Sequence, residues 1–196
     1  MKNRTILSLP LKGEWFVFWG GDNKKLNIHR DTPNQKFAFD FCIVDGSGKS
    51  YRGNGRRNED YHCYGKEIFA PANGKVVEVI DGVRDNEPGN MNPFSAMGNV
   101  IVIKHSNRET SVLAHLKPGS IKVKVGERVK TRQHLGICGN SGNSSEPHLH
   151  YHLQDNSIIQ AGEGIKCFFQ KVKVEKNRKK VLKINYSPIK GDKVSD

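Results

Sequence analysis

The sequence predicts a single all-β domain, mainly antiparallel, with long surface loops. Short apolar segments that alternate like strands recur along the 196 residues, and turns rich in Gly, Asn and Pro separate them. The hydrophobic fraction of 35% is low and Gly is abundant at 20 residues, which favours a sheet-and-turn protein over a helical one. We find no convincing amphipathic helix, internal repeat or low-complexity tract.

The N-terminal part of the chain contains two candidate strands. Residues 15–19 are a short apolar segment, and a turn signal at 20–23 ends it. Residues 36–45 alternate, with Phe39 on one side and Asp40 on the other. Residues 46–66 show no periodicity and are rich in Gly, Arg, Asn and Tyr, so we expect a long loop that could border a functional site.

The rest of the chain alternates strands with turns. Further candidate strands are 75–80, 99–104, 110–116, 134–138 and 148–153, with a final hairpin in 165–186. Residues 121–130 also alternate and include a turn at 125–127. Residues 81–98 form a second polar loop. We expect one domain over 1–196, with a core at about 26–153, an N-terminal strand region in 1–25 and a basic C-terminal hairpin extension over 165–196.

The chain is strongly basic, with a formal net charge of +12. Such an excess attracts polyanions such as nucleic acid, an anionic membrane surface or an anionic cell-wall polymer. The cationic residues are densest near the C-terminus: Lys171, Lys173, Lys176, Arg178, Lys179, Lys180 and Lys183. A solvated strand pair and its turn explain this density equally well.

Cysteine usage and hydropathy exclude several classes. The four cysteines have no C-x-x-C spacing, so a cysteine zinc site is not expected, and in a chain this long they do not make a disulfide scaffold. Cys42 and Cys138 lie in apolar stretches and are expected to be buried. No stretch has the length of a transmembrane helix, and the first 20 residues contain no apolar run suited to a signal peptide.

The strongest chemical feature is His148-Leu149-His150 on a predicted strand. Because side chains alternate along a strand, both imidazoles project from one face. Two adjacent imidazoles are suited to binding a metal or to transferring protons. The small polar residues of 139–147 precede them and leave room for a ligand.

Three more residues are candidates for the same site. His115 ends an otherwise apolar strand, where a core or edge histidine is the alternative interpretation. Asp40 lies between Phe39 and Phe41, and a buried carboxylate is costly unless it is paired or binds metal. His29 lies upstream, where the turn at Pro33 could bring it beside Asp40. Two histidines, one aspartate and a water would make a catalytic zinc site.

These segments together resemble the LytM/lysostaphin-type metallopeptidases, the M23 peptidase family. The resemblance rests on His115 in 113–116, on the loop 139–147 and on the H-x-H pair, with further similarity in 70–76 and 125–136. It covers roughly residues 26–153. It implies a lysostaphin-type β-sandwich or barrel-like sheet core and a zinc-dependent endopeptidase whose usual substrate is the peptide part of bacterial peptidoglycan.

The resemblance also implies a role for each candidate residue. His29, Asp40 and His150 match the family's ligands for one zinc ion. His115 and His148 match the histidines that act as general base or stabilise the transition state. With peptidoglycan as the substrate, we expect an extracellular or cell-envelope location, and an anionic cell-wall polymer is a further possible partner.

Two positions depart from the family pattern or add to it. The family motif places its first histidine and aspartate a few residues apart, whereas His29 and Asp40 are eleven residues apart. Asp31 is therefore an alternative ligand, and we favour Asp40 because a carboxylate on a strand is held more rigidly. His152 falls on the same strand face as His148 and His150, and we expect an accessory or partly exposed residue with no role in the reaction.

Two other functions remain as alternatives. One is a catalytically inactive family relative that binds or regulates at the cell wall, although a candidate is present for every required position. The other is a nucleic-acid-binding β-barrel, which would stack bases on exposed aromatic residues. The aromatic residues here are expected to be buried, so we expect no specific nucleic-acid partner.

Overall fold

The structure is a computed structural model that describes residues 2–176 and 179–196, and strands dominate it. The strands are β1 Glu14–Trp19, β2 Phe39–Cys42, β3 Glu67–Phe69, β4 Gly74–Ile80, β5 Asn99–Lys104, β6 Thr110–Leu116, β7 Arg128–Val129, β8 His134–Ile137, β9 Leu149–Gln154, β10 Gly164–Ile165, β11 Phe169–Lys176, β12 Lys179–Tyr186 and β13 Lys193–Ser195. Helical structure in these residues is limited to short 3-10 turns at Ile28–Asp31, Pro33–Gln35, Asn58–Asp60 and Ile159–Ala161.

One large sheet contains most of the strands. Its order in the described residues is β12-β11-β13-β1-β2-β9-β6-β5-β4-β7, with β10 pairing β9, while β3 and β8 form a separate pair. All of these pairings are antiparallel. The predicted all-β, mainly antiparallel fold with long loops is therefore confirmed.

The central strands bury side chains on both faces of this sheet. The main core covers one face and includes Phe39, Leu113 and Tyr151. A smaller apolar cluster covers the other face, with Val100, Val102, Val112, Ala114 and Ile159. Cross-strand partners share a face, so the pairs Ala114–His150 and Val112–His152 place both histidines on the second face.

The chain ends contribute strands to the same sheet. β1 lies between β13 and β2, and β11 pairs with β13. The main core includes Leu7 and Leu9 near one end of the chain and Val174 and Val194 near the other. Burying each such side chain stabilises the fold by about 1.5–3 kcal/mol, so the terminal segments add to the stability of the sheet.

Most predicted strands form, but the alternating residues 121–130 pair over only a short part of their length. Their alternation is real, since Val123 and Val129 are buried while Lys122 and Lys124 are exposed. Strand pairing nevertheless includes only Arg128 and Val129 of this segment. The alternating side chains cover the core from an irregular segment, so periodicity alone does not establish a strand.

Strands were also missed or misplaced near the C-terminus. β13 and the short β3 were not predicted. The predicted hairpin at 165–186 is β11 and β12, whereas Gly164 and Ile165 belong to β10 and pair with β9. Arg178, one of the basic residues counted near the C-terminus, lies outside the described residues. Among the described residues, no helix is long and apolar enough to cross a membrane.

Candidate metal centre

Asp40 and His150 lie directly opposite each other on the neighbouring strands β2 and β9. Their side chains therefore share a face, and His150 Nδ1 lies 2.9 Å from Asp40 Oδ1. Both residues are buried. Strand pairing thus fixes two of the three predicted metal ligands relative to each other.

A capped 3-10 turn brings His29 to the same carboxylate. The Asn27 side chain accepts a hydrogen bond from the His29 backbone N–H and donates to the carbonyl oxygens of Gly21 and Ala38. The turn is thereby attached to the residues just before β2. His29 Nε2 lies 2.9 Å from Asp40 Oδ2. The residues between His29 and Asp40 fold into two short 3-10 turns, which explains how so long a spacer still brings the two side chains together.

The three side chains meet the basic requirements of a cation site. One potential ligand atom from each of His29, Asp40 and His150 lies within 4.8 Å of the others. Two imidazole nitrogens and a carboxylate oxygen are a donor set that zinc prefers, and it leaves coordination positions for water or substrate. The alternative residue, Asp31, is exposed and pairs with Lys24 at 2.8 Å. The geometry therefore favours Asp40 over Asp31.

Charge on the histidines determines the electrostatics of Asp40. Burial opposes ionisation of this carboxyl, but His29, His148 and the hydrogen bond with His150 outweigh burial and hold its pKa well below the usual range. Burial also lowers the pKa of His29, yet the adjacent Asp40 raises it overall. The Asp40 side chain is accordingly an anion suited to binding a cation.

His115 reaches the site through a β-bulge. The β5–β6 register shifts between Asn99 and Ile101, with one extra residue on β6, and His115 has a φ of 63°. Regular alternation would place His115 on the face opposite Ala114 and His150. The bulge instead brings its ring to 5.8 Å from the His150 ring, measured between centroids. A left-handed φ at a non-glycine residue is strained and often marks a functional position.

Hydrogen bonds orient both His115 and His148. His115 Nδ1 lies 2.8 Å from the Ser141 carbonyl oxygen, and His148 Nδ1 lies 2.8 Å from that of Glu146. A carbonyl only accepts, so each Nδ1 carries the proton and each neutral ring keeps Nε2 as an acceptor. The rings lie 4.8 Å apart, and His148 Nε2 lies 3.7 Å from Asp40 Oδ1. Burial, reinforced by His148 and His150, holds the pKa of His115 well below its ordinary value.

We expected His152 to be an accessory residue or a partly exposed one, and the expectation of partial exposure is wrong. This residue is 1% exposed and lies beside His150, with His150 Nε2 3.0 Å from His152 Nδ1. Burial and the neighbouring His150 lower the pKa of His152 to about 3. Sequence reasoning also missed Gln154, whose Oε1 lies 2.9 Å from His152 Nε2. The signal was present, because polar residues occupy alternate positions from His148 to Gln154.

Clefts open on both sides of the cluster. One is lined by aromatic Phe18 and Trp19 together with Glu146, and it reaches Asp40 and His148. The other is lined by more polar residues that include Gln35 and Asn143, and it reaches His29, His115 and His150. Two clefts of different character, one aromatic and one polar, therefore reach the cluster.

Residues 58–161 match the family model described as Peptidase family M23. That segment is more than half of the 196-residue chain. This chain belongs to peptidase family M23. The matched segment contains His115, His148 and His150 but not His29 or Asp40, so the case for those two rests on geometry.

Individual relatives are consistent with this membership. An uncharacterized metalloprotease of Buchnera aphidicola is 32% identical over 64% of this chain and 31% of its own length. The peptidoglycan DD-endopeptidase ShyC of Vibrio cholerae is 37% identical over 48% of this chain and 20% of its own length. This M23 chain thus spans less than a third of either relative.

A solved structure supports the predicted lysostaphin-type M23 fold. The deep-sea M23 metalloprotease pseudoalterin superimposes with a TM-score of 0.51, at 16% identity, over 92% of this chain and 96% of its own. At this identity the similarity establishes the fold alone.

Proposed function

We propose that this M23 chain is a zinc-dependent endopeptidase that cleaves the peptide part of bacterial peptidoglycan. The observation that carries the proposal is the convergence of His29, Asp40 and His150 on one point, with the Nε2 atoms of His115 and His148 available beside it. Relatives named as peptidoglycan DD-endopeptidases support the substrate class. Such a substrate implies that the enzyme works in the cell envelope.

His29, Asp40 and His150 would hold one zinc ion per chain. When bound, zinc supplies a Lewis acid that polarises the scissile carbonyl and makes hydroxide available near neutral pH. The three side chains leave the clefts on both sides free for the substrate.

His115 and His148 would transfer protons and stabilise charge. Each ring has its Nδ1–H bonded to a backbone carbonyl, which orients the ring, and in the neutral form it presents Nε2 as a proton acceptor. One of them takes the proton of the attacking water and returns it to the leaving amine. The resulting imidazolium stabilises the negative charge that develops on the carbonyl oxygen.

Digestion of purified peptidoglycan, followed by mass spectrometry of the fragments, tests this proposal. We expect new amino and carboxyl termini within the peptide stems or cross-bridges, loss of activity with a zinc chelator, and recovery when zinc is added back. The His148→Ala variant is the matched inactive control. Intact peptides after incubation with the zinc-loaded wild-type chain would contradict the proposal and favour a binding role.

A further inference from the structure

His152 and Gln154 extend the polar side of β9 away from the candidate metal centre. His152 is 1% exposed and Gln154 is completely buried. Hydrogen-bond contacts connect His150 to His152 at 3.0 Å and His152 to Gln154 at 2.9 Å. Three buried polar side chains therefore form one continuous series that ends on a candidate ligand.

The backbone fixes the orientation of the Gln154 amide. Gln154 Nε2 lies 2.7 Å from the Asn156 carbonyl oxygen and 3.0 Å from that of Ile158. Carbonyl oxygens only accept, so this end of the amide must be the NH2 group. At the other end, Oε1 also faces the amide nitrogen of Asn34 at 3.5 Å. A Cβ at Gly162 would lie 2.5 Å from Gln154 Nε2, so close packing also holds the amide in place.

This orientation determines where the protons lie on the two histidines. Gln154 Oε1 is an acceptor, so His152 Nε2 must carry a proton. With that proton on Nε2, the neutral form of His152 has Nδ1 as an acceptor for a proton on His150 Nε2, 3.0 Å away. An imidazole that binds a metal through Nδ1 carries its proton on Nε2, and in that state His150 donates to His152. His150 Nδ1 lies on the side of the ring that faces Asp40, 2.9 Å from Oδ1.

We propose that His152 and Gln154 are positioning residues that hold His150 in the Nε2–H tautomer, with Nδ1 free to bind the metal. The inference rests on the proposed function, since it concerns the zinc ion that His29, Asp40 and His150 would share. Hydrogen-bond partners of metal-binding histidines typically contribute 10–100-fold to metal affinity. In this chain that partner is a second imidazole, held in turn by an amide.

A matched pair of variants in the full chain tests the proposal. His152→Leu removes both ring nitrogens while keeping an apolar side chain of moderate size. His152→Gln restores one acceptor for His150 and one donor for Gln154. Zinc affinity is measured by competition with a chelator, and thermal unfolding of the zinc-free proteins reports whether each variant folds. We expect His152→Leu to bind zinc about 10–100-fold more weakly than wild type and His152→Gln to recover most of that loss.

The wild-type chain provides a test that does not depend on the folding of a variant. Long-range 1H–15N NMR of the zinc-loaded protein should show the proton of His150 on Nε2, with Nδ1 unprotonated and bound to the metal. A proton on Nδ1, or a folded His152→Leu variant with wild-type zinc affinity, would overturn the inference while leaving the proposed function intact. A wild-type chain that takes up no zinc would overturn both.

Discussion

Three histidines of the site each have one ring nitrogen whose partner determines what the other nitrogen can do. His115 and His148 donate from Nδ1 to carbonyl oxygens and present Nε2, whereas His150 presents Nδ1 to Asp40. The same side chain thus serves two purposes according to its neighbours. Three residues would bind metal, and two would transfer protons.

This division of roles predicts that His115 and His148 are dispensable for zinc binding but not for turnover. His115→Ala and His148→Ala should keep nearly full zinc occupancy and lose roughly 10²–10⁴ in kcat, the usual contribution of a general acid or base. The double variant should lose much less than the product of the two effects, since residues that act as a unit are not additive. Zinc content and peptide hydrolysis are measured in parallel.

His134→Ala is the control for this prediction. His134 lies on β8, in the separate two-stranded sheet, and its substitution should leave both zinc content and kcat unchanged. Loss of zinc in His148→Ala with retention in His150→Ala would reverse the two roles within the H-x-H pair. An active His115→Ala would remove that residue from the mechanism.

Single residues show how much of the site the sequence could reveal. Strand alternation was sufficient to place His148 and His150 on one face, an apolar strand singled out Asp40, and the family resemblance implied that His29 and Asp40 are ligands. The orientation of His115 could not be predicted, because it depends on an extra residue in the β5–β6 register and on a left-handed φ of 63°. The burial of His152 and its contact with Gln154 could not be predicted, because they depend on how the end of β9 packs in the tertiary structure.

At the scale of elements, two loops pack against each other to support the His148 side of the site. Gly142 has a φ of 80°, and a Cβ there would lie 2.3 Å from the Gly98 backbone nitrogen and 2.5 Å from the Ser95 carbonyl oxygen. The Asn86 side chain also donates to the carbonyl oxygens of Gly142 and Ser144. The loop before His148 is therefore held by backbone contacts that tolerate no side chain at Gly142.

The cost in stability of an alanine at each of two glycines measures this packing. Gly126 also has a positive φ, 94°, but a Cβ there meets no atom within 4 Å. Gly126→Ala should lower the free energy of unfolding by about 1–2 kcal/mol, from the left-handed backbone alone. Gly142→Ala should cost a further 1–3 kcal/mol or so, because backbone atoms must move to admit the methyl group. Urea unfolding measures both, and equal costs would show that the loops do not pack as described.

The elements also show where pattern analysis is reliable. β5 and β6 were predicted with their observed bounds because continuous apolar runs in the centre of a sheet have few alternatives. The segment 121–130 alternates without forming a full strand because one-sided burial, with Val123 inward and Lys124 outward, does not require a paired backbone. Strand β13 was missed because three residues give too short a pattern.

At the scale of the whole molecule, the basic charge lies partly at the edge of the large sheet. β12 is the terminal strand, and Lys179 and Lys180 are exposed on it, with Lys171 and Lys173 exposed on the adjacent β11. Lysines on an edge strand discourage pairing with other chains. With a net charge of +12, the same residues would also attract an anionic polymer.

This charge predicts different salt sensitivities for wall binding and for catalysis. Exposed charges are screened over about 10 Å at 0.1 M salt, so added salt should weaken binding to anionic cell walls. The rate of cleavage of a short neutral peptide should change much less, because it depends on the buried cluster of histidines and Asp40, which salt screens only weakly. Sedimentation with purified walls and a peptide assay are compared across one salt series. Equal sensitivity in the two assays would count against a separate role for the basic surface.

The most direct test of the whole account is the zinc content of four single variants, measured by elemental analysis of the purified full chain. We predict about one zinc ion per chain in the wild type, and loss of most of it in His29→Ala, Asp40→Ala and His150→Ala, since a catalytic zinc site uses three protein ligands. Asp31→Ala is the matched control and should retain the metal, because Asp31 is exposed and pairs with Lys24. Loss of zinc in Asp31→Ala with retention in Asp40→Ala would contradict the account.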